Sequence, residues 1–196
     1  MQVRLDDGNK WDRFRQGDNS CFADIYSEIA PRLYWYGLKF TSNQNIIEDV
    51  IQDLFSDLFS KRKTLGPTDN ILFYLMCSFK RKLFRLLKKE DKTSTDPLSD
   101  DYSFQVNYSI EQEIIKEEVV KEQTRLLAQA LKKLPSRQKE SIYLKYHEGL
   151  GYEEIAELMD ISVESCRNLI SKAIKALRQS IHQPSQLIAL LIFIRQ

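Results

Sequence analysis

Residues Leu134–Ile181 read LPSRQKESIYLKYHEGLGYEEIAELMDISVESCRNLISKAIKALRQSI, and the spacing of their apolar side chains decides the fold class. The spacing predicts a short helix from about Glu153 to Met159, a turn at residues 160–162, and a longer second helix. In the second helix the apolar residues recur at helical intervals and form one stripe. They are Val163, Cys166, Leu169, Ile170, Ala173, Ile174, Leu177 and Ile181. This arrangement is typical of a helix-turn-helix unit.

The other face of the second helix is polar and basic. Ser162 is predicted to be its N-cap, because the hydroxyl can accept a free N–H of the first turn. Side chains that can hydrogen-bond base edges and neutralise phosphates in a DNA major groove follow. Those predicted to contact DNA are Ser165, Arg167, Asn168, Ser171, Lys172 and Lys175. An amphipathic helical hairpin with a solvated polar face would have the same pattern, so the rest of the chain must decide.

The composition favours helices and hides a division of charge. Of the 196 residues 42% are hydrophobic, and six Gly and five Pro argue against an architecture of strands and turns. Residues 1–90 hold 15 Lys and Arg against 12 Asp and Glu, whereas residues 91–123 hold 3 against 9 and residues 124–196 hold 11 against 7. Two mildly basic blocks therefore flank an acidic connector, and both are compatible with nucleic-acid binding.

Residues with reactive side chains are few and scattered. Cys21, Cys77 and Cys166 are widely spaced at apolar helical positions, which predicts reduced, buried thiols in a cytoplasmic protein. The two histidines, His147 and His182, have no nucleophile or metal-ligand spacing near them, and no glycine-rich phosphate loop is present. The N-terminus has no apolar run of the signal-peptide kind. We therefore expect no enzymatic activity, no cofactor, no metal and no small-molecule substrate.

The first ninety residues are predicted to be helical, over Ser20–Leu38 with Pro31 kinking or dividing the helix, Asn45–Lys61 and Ile71–Lys89. The helix over Asn45–Lys61 is the most regular, and its solvent face is uniformly acidic or amide. The helix over Ile71–Lys89 mixes aromatic with basic residues, and a Gly-Pro loop precedes it. This acidic-amide face includes Asp49, Gln52, Asp53 and Asp57.

The remaining segments complete an all-α chain of two small domains. Residues 1–90 form the first domain, residues 91–123 a flexible acidic linker, and residues 124–183 the second domain, followed by an apolar tail at 184–196. A helix is predicted from near Ser109 through Leu131. The run Leu187–Ile194 would span about 12 Å as a helix against a hydrocarbon core of about 30 Å, so it does not cross a membrane. Packing onto a domain, binding a partner and weak membrane-surface attachment remain open for this tail.

The two blocks together carry a family resemblance. The segment LPSRQKESIYLKYHEGLGYEEIAELMDISVESCRNLISKAIKALR is similar to the promoter-recognition domain, region 4, of bacterial RNA polymerase sigma factors. Phe22-x-x-x-Tyr26, the run EDVIQDLF at 48–55, and Tyr74-Leu75 ahead of a basic helix resemble region 2. Together they cover about three quarters of the chain. The chain thus resembles a sigma-70 family factor of the extracytoplasmic-function (ECF) type.

The resemblance implies a function, partners and site residues. It implies a cytoplasmic transcription factor that binds core RNA polymerase, reads the −35 element with the helix-turn-helix, and helps to melt the −10 element. An anti-sigma factor or another regulator is a further expected partner. The acidic-amide face, Asp49, Gln52, Asp53 and Asp57, would bind core polymerase. The −10 element would be contacted by Asp69, Asn70, Tyr74, Lys80, Arg81, Arg85 and Lys88.

The basic helix and the helix-turn-helix each depart from the family pattern at certain positions. In the basic helix, Arg81 and Arg85 replace an amide and an acidic residue, so −10 binding relies more on backbone charge. Gly151 stands where Ser or Thr usually caps the first helix of the motif. Gly can also act as a cap there, with a small loss of stability.

The alternative to a sigma factor is a two-domain regulator that binds duplex DNA without polymerase. It would explain the helix-turn-helix but neither the acidic-amide face nor the aromatic-basic helix.

Overall fold

The computed structural model describes residues 7–90, 103–105 and 128–180, which are helical apart from short connections and contain no β-strand. The chain divides into two compact units, Met1–Ser99 and Asp100–Gln196. The predicted all-α fold is therefore confirmed. Within the described segments, no helix combines the length and the hydropathy needed to cross a membrane. The apolar tail at 184–196 and most of the predicted linker lie outside the described residues.

Within the described residues the first unit has four α-helices, and the second has three besides a helical stretch at 128–133. The first unit contains α1 (Asp7–Arg15), α2 (Asn19–Gly37), α3 (Gln44–Ser60), a 3₁₀ turn (Arg62–Thr64) and α4 (Ile71–Glu90). The second contains helical backbone at 128–133, α5 (Ser136–Ile142), a π-helical turn (Tyr143–His147), α6 (Tyr152–Met159) and α7 (Val163–Ser180). Helices α2 to α4 lie within one residue of their predicted positions. The sequence reasoning did not single out α1.

Side-chain caps fix where the helices of the first unit begin. The Asp18 carboxylate accepts hydrogen bonds from the N–H groups of Ser20 and Cys21 at the start of α2. The Asn43 side chain does the same for Ile46 in α3. Pro31 lies within α2 without dividing it. Caps of this kind satisfy backbone donors that have no partner inside the helix.

The helices of the first unit approach one another most closely where α2 ends. A Cβ atom added to Gly37 would stand 2.9 Å from Cγ2 of Ile47 and 3.0 Å from Cζ of Phe79. Only glycine therefore allows the end of α2 to approach α3 and α4 this closely. The fully buried side chains around this point are Leu33, Tyr36, Ile47, Leu75, Met76, Phe79 and Leu83.

The second unit is built on the predicted apolar stripe of α7. Four residues of that stripe, Cys166, Ile170, Ala173 and Leu177, are at most 2% exposed, and α7 packs on α5 and α6 through them. Val163, Leu169 and Ile174 border the stripe and are half-buried. The helix-turn-helix predicted from the spacing is confirmed, with α6 and α7 as its two helices.

The turns of this unit confirm the predicted caps. Asp160 has φ of +53° at the end of α6, a left-handed conformation that Asp adopts more readily than most residues. The Ser162 hydroxyl accepts the N–H of Ser165 and so caps α7 as predicted. At the start of α6 the Gly151 N–H donates to the Glu154 carboxylate, which stabilises a helix start that lacks a Ser or Thr cap.

One residue of the predicted linker is part of the second unit. Phe104 is 1% exposed, and its ring lies 5.8 Å from that of Tyr143 in the π-helical turn. Its neighbours Ser103 and Gln105 are exposed. The sequence pattern placed all three in the flexible linker, and one large side chain in a polar stretch gives no periodic signal. The acidic connector is therefore anchored to the second unit at this point.

Phe104→Ala should release the 103–105 segment and loosen the π-helical turn, with a loss of up to about 3–5 kcal/mol, the range for truncating a buried Phe. Amide hydrogen exchange of peptides covering Tyr143–His147 should rise. Gln105→Ala is the matched control, because its side chain is exposed. Equal exchange in the two variants would show that Phe104 does not hold the segment.

Candidate nucleic-acid interface

The outer face of α7 presents all six side chains predicted to contact −35 DNA. Ser165, Arg167, Asn168, Ser171, Lys172 and Lys175 are all exposed. They share this face because residues three or four apart in a helix lie one above the other. The buried stripe fixes the rotation of α7, so these side chains are held on the solvent side of the unit.

Arg167 lies against the start of α6. Its guanidinium Cζ is 5.3 Å from the centre of the Tyr152 ring, and its Nη2 is 3.9 Å from Oε1 of Glu153. The Lys145 ammonium lies 4.3 Å from the centre of the same ring. A cation at such a distance is attracted by the ring quadrupole. Tyr152 thus gathers two basic side chains at the junction of the two helices of the motif.

A buried polar pair closes the turn before α6. The Tyr143 hydroxyl donates to Oε1 of Glu148 over 2.8 Å, and Glu148 is 5% exposed. The His147 ring stacks on Tyr143 with centroids 4.6 Å apart. Gly149 follows with φ of +71°, which glycine adopts without strain. These contacts give His147 a structural role in the turn.

The aromatic-basic helix α4 divides its side chains between core and surface. Phe79 is fully buried, whereas Arg81 and Arg85 are exposed and Tyr74, Lys80 and Lys88 are half-buried. The Lys80 ammonium lies 5.8 Å from the ring centres of both Phe40 and Phe84. Basic groups beside partly accessible rings can neutralise phosphates and stack on unpaired bases.

Asn70 is placed differently from the prediction. Its side chain is 7% exposed, and its Oδ1 accepts the N–H of Phe73 over 3.0 Å at the start of α4. A buried carboxamide that caps a helix is not available to a base, so Asn70 contributes to the loop by shaping it. Its neighbour Asp69 is exposed. The sequence cannot distinguish the two, because Asp and Asn serve equally well as caps and as surface groups.

The loop at residues 65–70 contacts α1, which sequence reasoning overlooked. The Trp11 indole N–H donates to the Gly66 carbonyl over 2.8 Å, and Trp11 is fully buried. Oδ2 of Asp7 accepts the N–H of Ile71, the first residue of α4, over 3.3 Å. These partners are 55 and 64 residues apart in sequence. No local signal could have predicted either contact.

The acidic-amide face of α3 is divided in the structure. Asp49, Gln52 and Asp53 are exposed, as predicted for a surface that binds a partner. Asp57 instead pairs with Lys82 of α4 over 2.7 Å and with Lys61 over 3.2 Å. Asp57 therefore connects α3 to α4, and its charge is compensated within the unit.

These pairs shift the titration of Asp57. Hydrogen bonds from the Lys82 and Lys61 ammonium groups stabilise the carboxylate and hold the pKa of Asp57 below its usual value. A carboxyl whose pKa is lowered by folding stabilises the fold above its unfolded pKa, and this contribution is lost as the pH falls through the folded pKa. The pair is exposed to solvent, so its contribution is small.

The cysteines and acidic groups form no metal site within the described segments. All three cysteines are buried, as predicted, and none forms a disulfide bond. Burial raises the pKa of the Cys21 and Cys166 thiols, which keeps both protonated. No group of three or more His, Cys, Asp or Glu residues there could hold a metal ion.

Part of the second unit matches a known sequence family, and the chain is similar in fold to solved structures. The family described as Sigma-70, region 4 matches residues 124–177. The sigma factor RpoE from Bartonella quintana, solved with the anti-sigma factor NepR, is 17% identical with a TM-score of 0.55, over 81% of this chain and 95% of RpoE. CnrH, solved with the cytosolic domain of CnrY, is 18% identical with a TM-score of 0.56, over 87% and 94%. No curated protein gives a significant sequence match.

The family match covers α5, α6 and nearly all of α7, the elements that carry the polar face described above. Residues 124–177 thus form a domain of the Sigma-70, region 4 family. The likeness to RpoE and CnrH shows that the chain shares the fold of these two proteins.

Asp57→Asn should lower the melting temperature at pH 7 more than Asp53→Asn, because Asp57 pairs with two lysines. The difference between wild type and Asp57→Asn should shrink as the pH falls below about 4, where the wild-type carboxyl also becomes protonated. Tryptophan fluorescence reports this unit selectively, since Trp11 and Trp35 are the only tryptophans. A difference that persists at pH 2 would contradict the assignment of the shift to these ion pairs.

Proposed function

We propose that this protein binds core RNA polymerase and directs it to promoters, reading the −35 element with α7 and helping to hold the melted −10 element with α4 and the preceding loop. The observation that carries the proposal is the outer face of α7. Six exposed polar and basic side chains stand opposite a buried apolar stripe, within a region 4 domain. This is the arrangement that a recognition helix needs in order to enter a groove while its unit remains folded.

The dimensions and chemistry of α7 fit a major groove. Its 18 residues extend over about 27 Å, and B-DNA offers a groove about 12 Å wide. Arg167 and Asn168 carry the planar donor and acceptor groups that read guanine and adenine edges. Lys172 and Lys175 supply point charges for phosphates. We assign base reading chiefly to Arg167. Its contacts with Tyr152 and Glu153 hold the side chain near the start of the helix.

Two further surfaces support a role with polymerase rather than with duplex DNA alone. Asp49, Gln52 and Asp53 form an exposed face that repels phosphates and would attract a basic protein surface. Lys80 beside the rings of Phe40 and Phe84 suits unpaired DNA. A regulator that binds only duplex DNA needs neither surface. We assign the acidic face to core polymerase and the aromatic-basic side of α4 to the −10 strand.

RpoE was solved with the anti-sigma factor NepR, and CnrH with the cytosolic domain of CnrY. We propose that an anti-sigma factor likewise controls this protein, which would act in the cytoplasm with core polymerase.

Transcription from a randomised promoter library tests the proposal. Core polymerase with the protein should give transcripts enriched for one −35 and one −10 sequence, whereas core polymerase alone should not. Duplexes carrying the enriched sequences should bind the free protein weakly in an anisotropy titration. Sequence-specific binding of the free protein at nanomolar concentration, without selective transcription, would favour the stand-alone regulator instead.

Arg167→Ala should lose roughly 1–3 kcal/mol of promoter binding at one −35 position and relax the base preference there. The reason is the loss of a bidentate contact to one base edge. Promoter variants at each −35 position, measured with the holoenzyme, provide the test. Arg178→Ala is the control, since Arg178 is an exposed residue of the last turn outside the predicted set. A loss that is uniform over all sequences would make Arg167 a phosphate contact.

Asp53→Lys should weaken binding to core polymerase by roughly tenfold or more, because about 1.4 kcal/mol of new repulsion suffices for that factor. Titration of the labelled protein with core polymerase, at several salt concentrations, measures the change. Asp24→Lys makes the same charge change at an exposed position of α2. Equal losses in the two variants would indicate a general charge effect and count against the α3 face.

A further inference from the structure

The loop at residues 65–70 is held from outside by a helix that lies far from it in sequence. We propose that Trp11, assisted by Asp7, is a positioning residue that keeps this loop in the shape required to select a base of the −10 element. The inference rests on the proposed function and adds to it a determinant of specificity that does not touch DNA. Trp11 is fully buried, so its influence on a base can only pass through the loop.

The hydrogen bond from Trp11 ties down an otherwise weakly held backbone. A buried indole N–H is rarely left without an acceptor, and here the acceptor is the carbonyl of Gly66. Gly66 is itself exposed, and a Cβ added to it would meet nothing within 4 Å. A side chain at this position would therefore have no neighbours to pack against. The hydrogen bond from Trp11 attaches the Gly66 backbone to α1.

The other end of the loop is fixed by two side chains of different origin. Asn70 caps α4 from within the loop, through the N–H of Phe73. Asp7 reaches across from α1 to accept the N–H of Ile71. The Thr68 hydroxyl accepts the N–H of Asn70, which tightens the turn between them. Asp69, exposed within this turn, is thus presented on a backbone that is held at both sides.

Helix α1 is anchored well enough to serve as a brace. The Phe14 ring stacks on Phe22 of α2 with centroids 5.6 Å apart, and Lys10 pairs with Glu28 over 3.1 Å. The Trp11 ring meets the edge of Tyr74 in α4 at 5.2 Å. The loop is therefore attached to a helix that is itself attached to α2 and α4. Movement of the loop would have to break the contact with Trp11 first.

A preformed loop matters because capturing an unstacked base has an unfavourable step. Unstacking a base costs a few kcal/mol, and a loop that must also become ordered adds to that cost. Loss of loop order should weaken binding of the matching base most, because that base gains its contacts only when the pocket is formed. Trp11 should accordingly affect the difference between bases, whereas the basic residues of α4 affect all sequences alike.

The test uses the full-length protein reconstituted with core polymerase and a promoter library randomised at both elements. Trp11→Phe keeps an aromatic ring but removes the N–H donor together with the five-membered ring of the indole, and Trp35→Phe makes the same change at a side chain that is 49% exposed. With Trp11→Phe, the preference for the best −10 base over the others should fall by about three- to tenfold, the factor expected for one lost hydrogen bond. The −35 preference should be unchanged, and Trp35→Phe should match wild type at both elements.

Hydrogen exchange of the same complexes provides the second readout. Peptides covering residues 65–71 should exchange faster in Trp11→Phe, and peptides from the middle of α3 should not. If Trp11→Phe does not fold, Asp7→Ala tests the same brace through the N–H of Ile71 and should give the same two changes. Unaltered −10 preference, or an equal loss at both elements, would overturn the inference. Failure of the wild-type protein to direct transcription would instead overturn the proposed function.

Discussion

Each amphipathic helix of this protein buries one continuous face, and every surface proposed to bind a partner depends on that constraint. Burial of Cys166, Ile170, Ala173 and Leu177 fixes the rotation of α7 and leaves its basic side chains in solvent. In α3 the same effect exposes Asp49 and its neighbours while seven apolar residues enter the core. The energy that orients both helices comes from apolar burial, since exposed polar groups contribute little to stability.

Charge pairing within the first unit then decides which charged residues remain for partners. Lys82 and Asp57 neutralise each other between α4 and α3, so neither contributes a net charge to its face. Arg81 and Arg85 remain exposed on one helix, and Asp53 remains exposed on the other. The first unit therefore separates a basic from an acidic surface although its net charge is small. Such separation allows one small domain to approach DNA and a basic protein surface together.

Buried polar groups hold the connections between helices in defined shapes. Trp11 and Asn70 act on the loop before α4, and the Tyr143–Glu148 pair acts on the turn before α6. Phe104 adds an apolar anchor for the connector that enters the second unit. Each of the polar groups would be unfavourable without a hydrogen-bond partner, so each fixes one local geometry. The loops proposed to contact DNA thereby inherit the rigidity of the cores beneath them.

The amino-acid sequence by itself determined the all-α class, the bounds of α2 to α4 within one residue, the helix-turn-helix and the Ser162 cap. These features follow from apolar periodicity and capping, which act over a few residues. Only the tertiary structure decided that Asn70 is buried, that Asp57 is paired, that Phe104 leaves the linker and that α1 holds the loop. Each depends on a partner from another part of the chain or on burial by it, and whether a polar group meets such a partner is settled only when the helices pack.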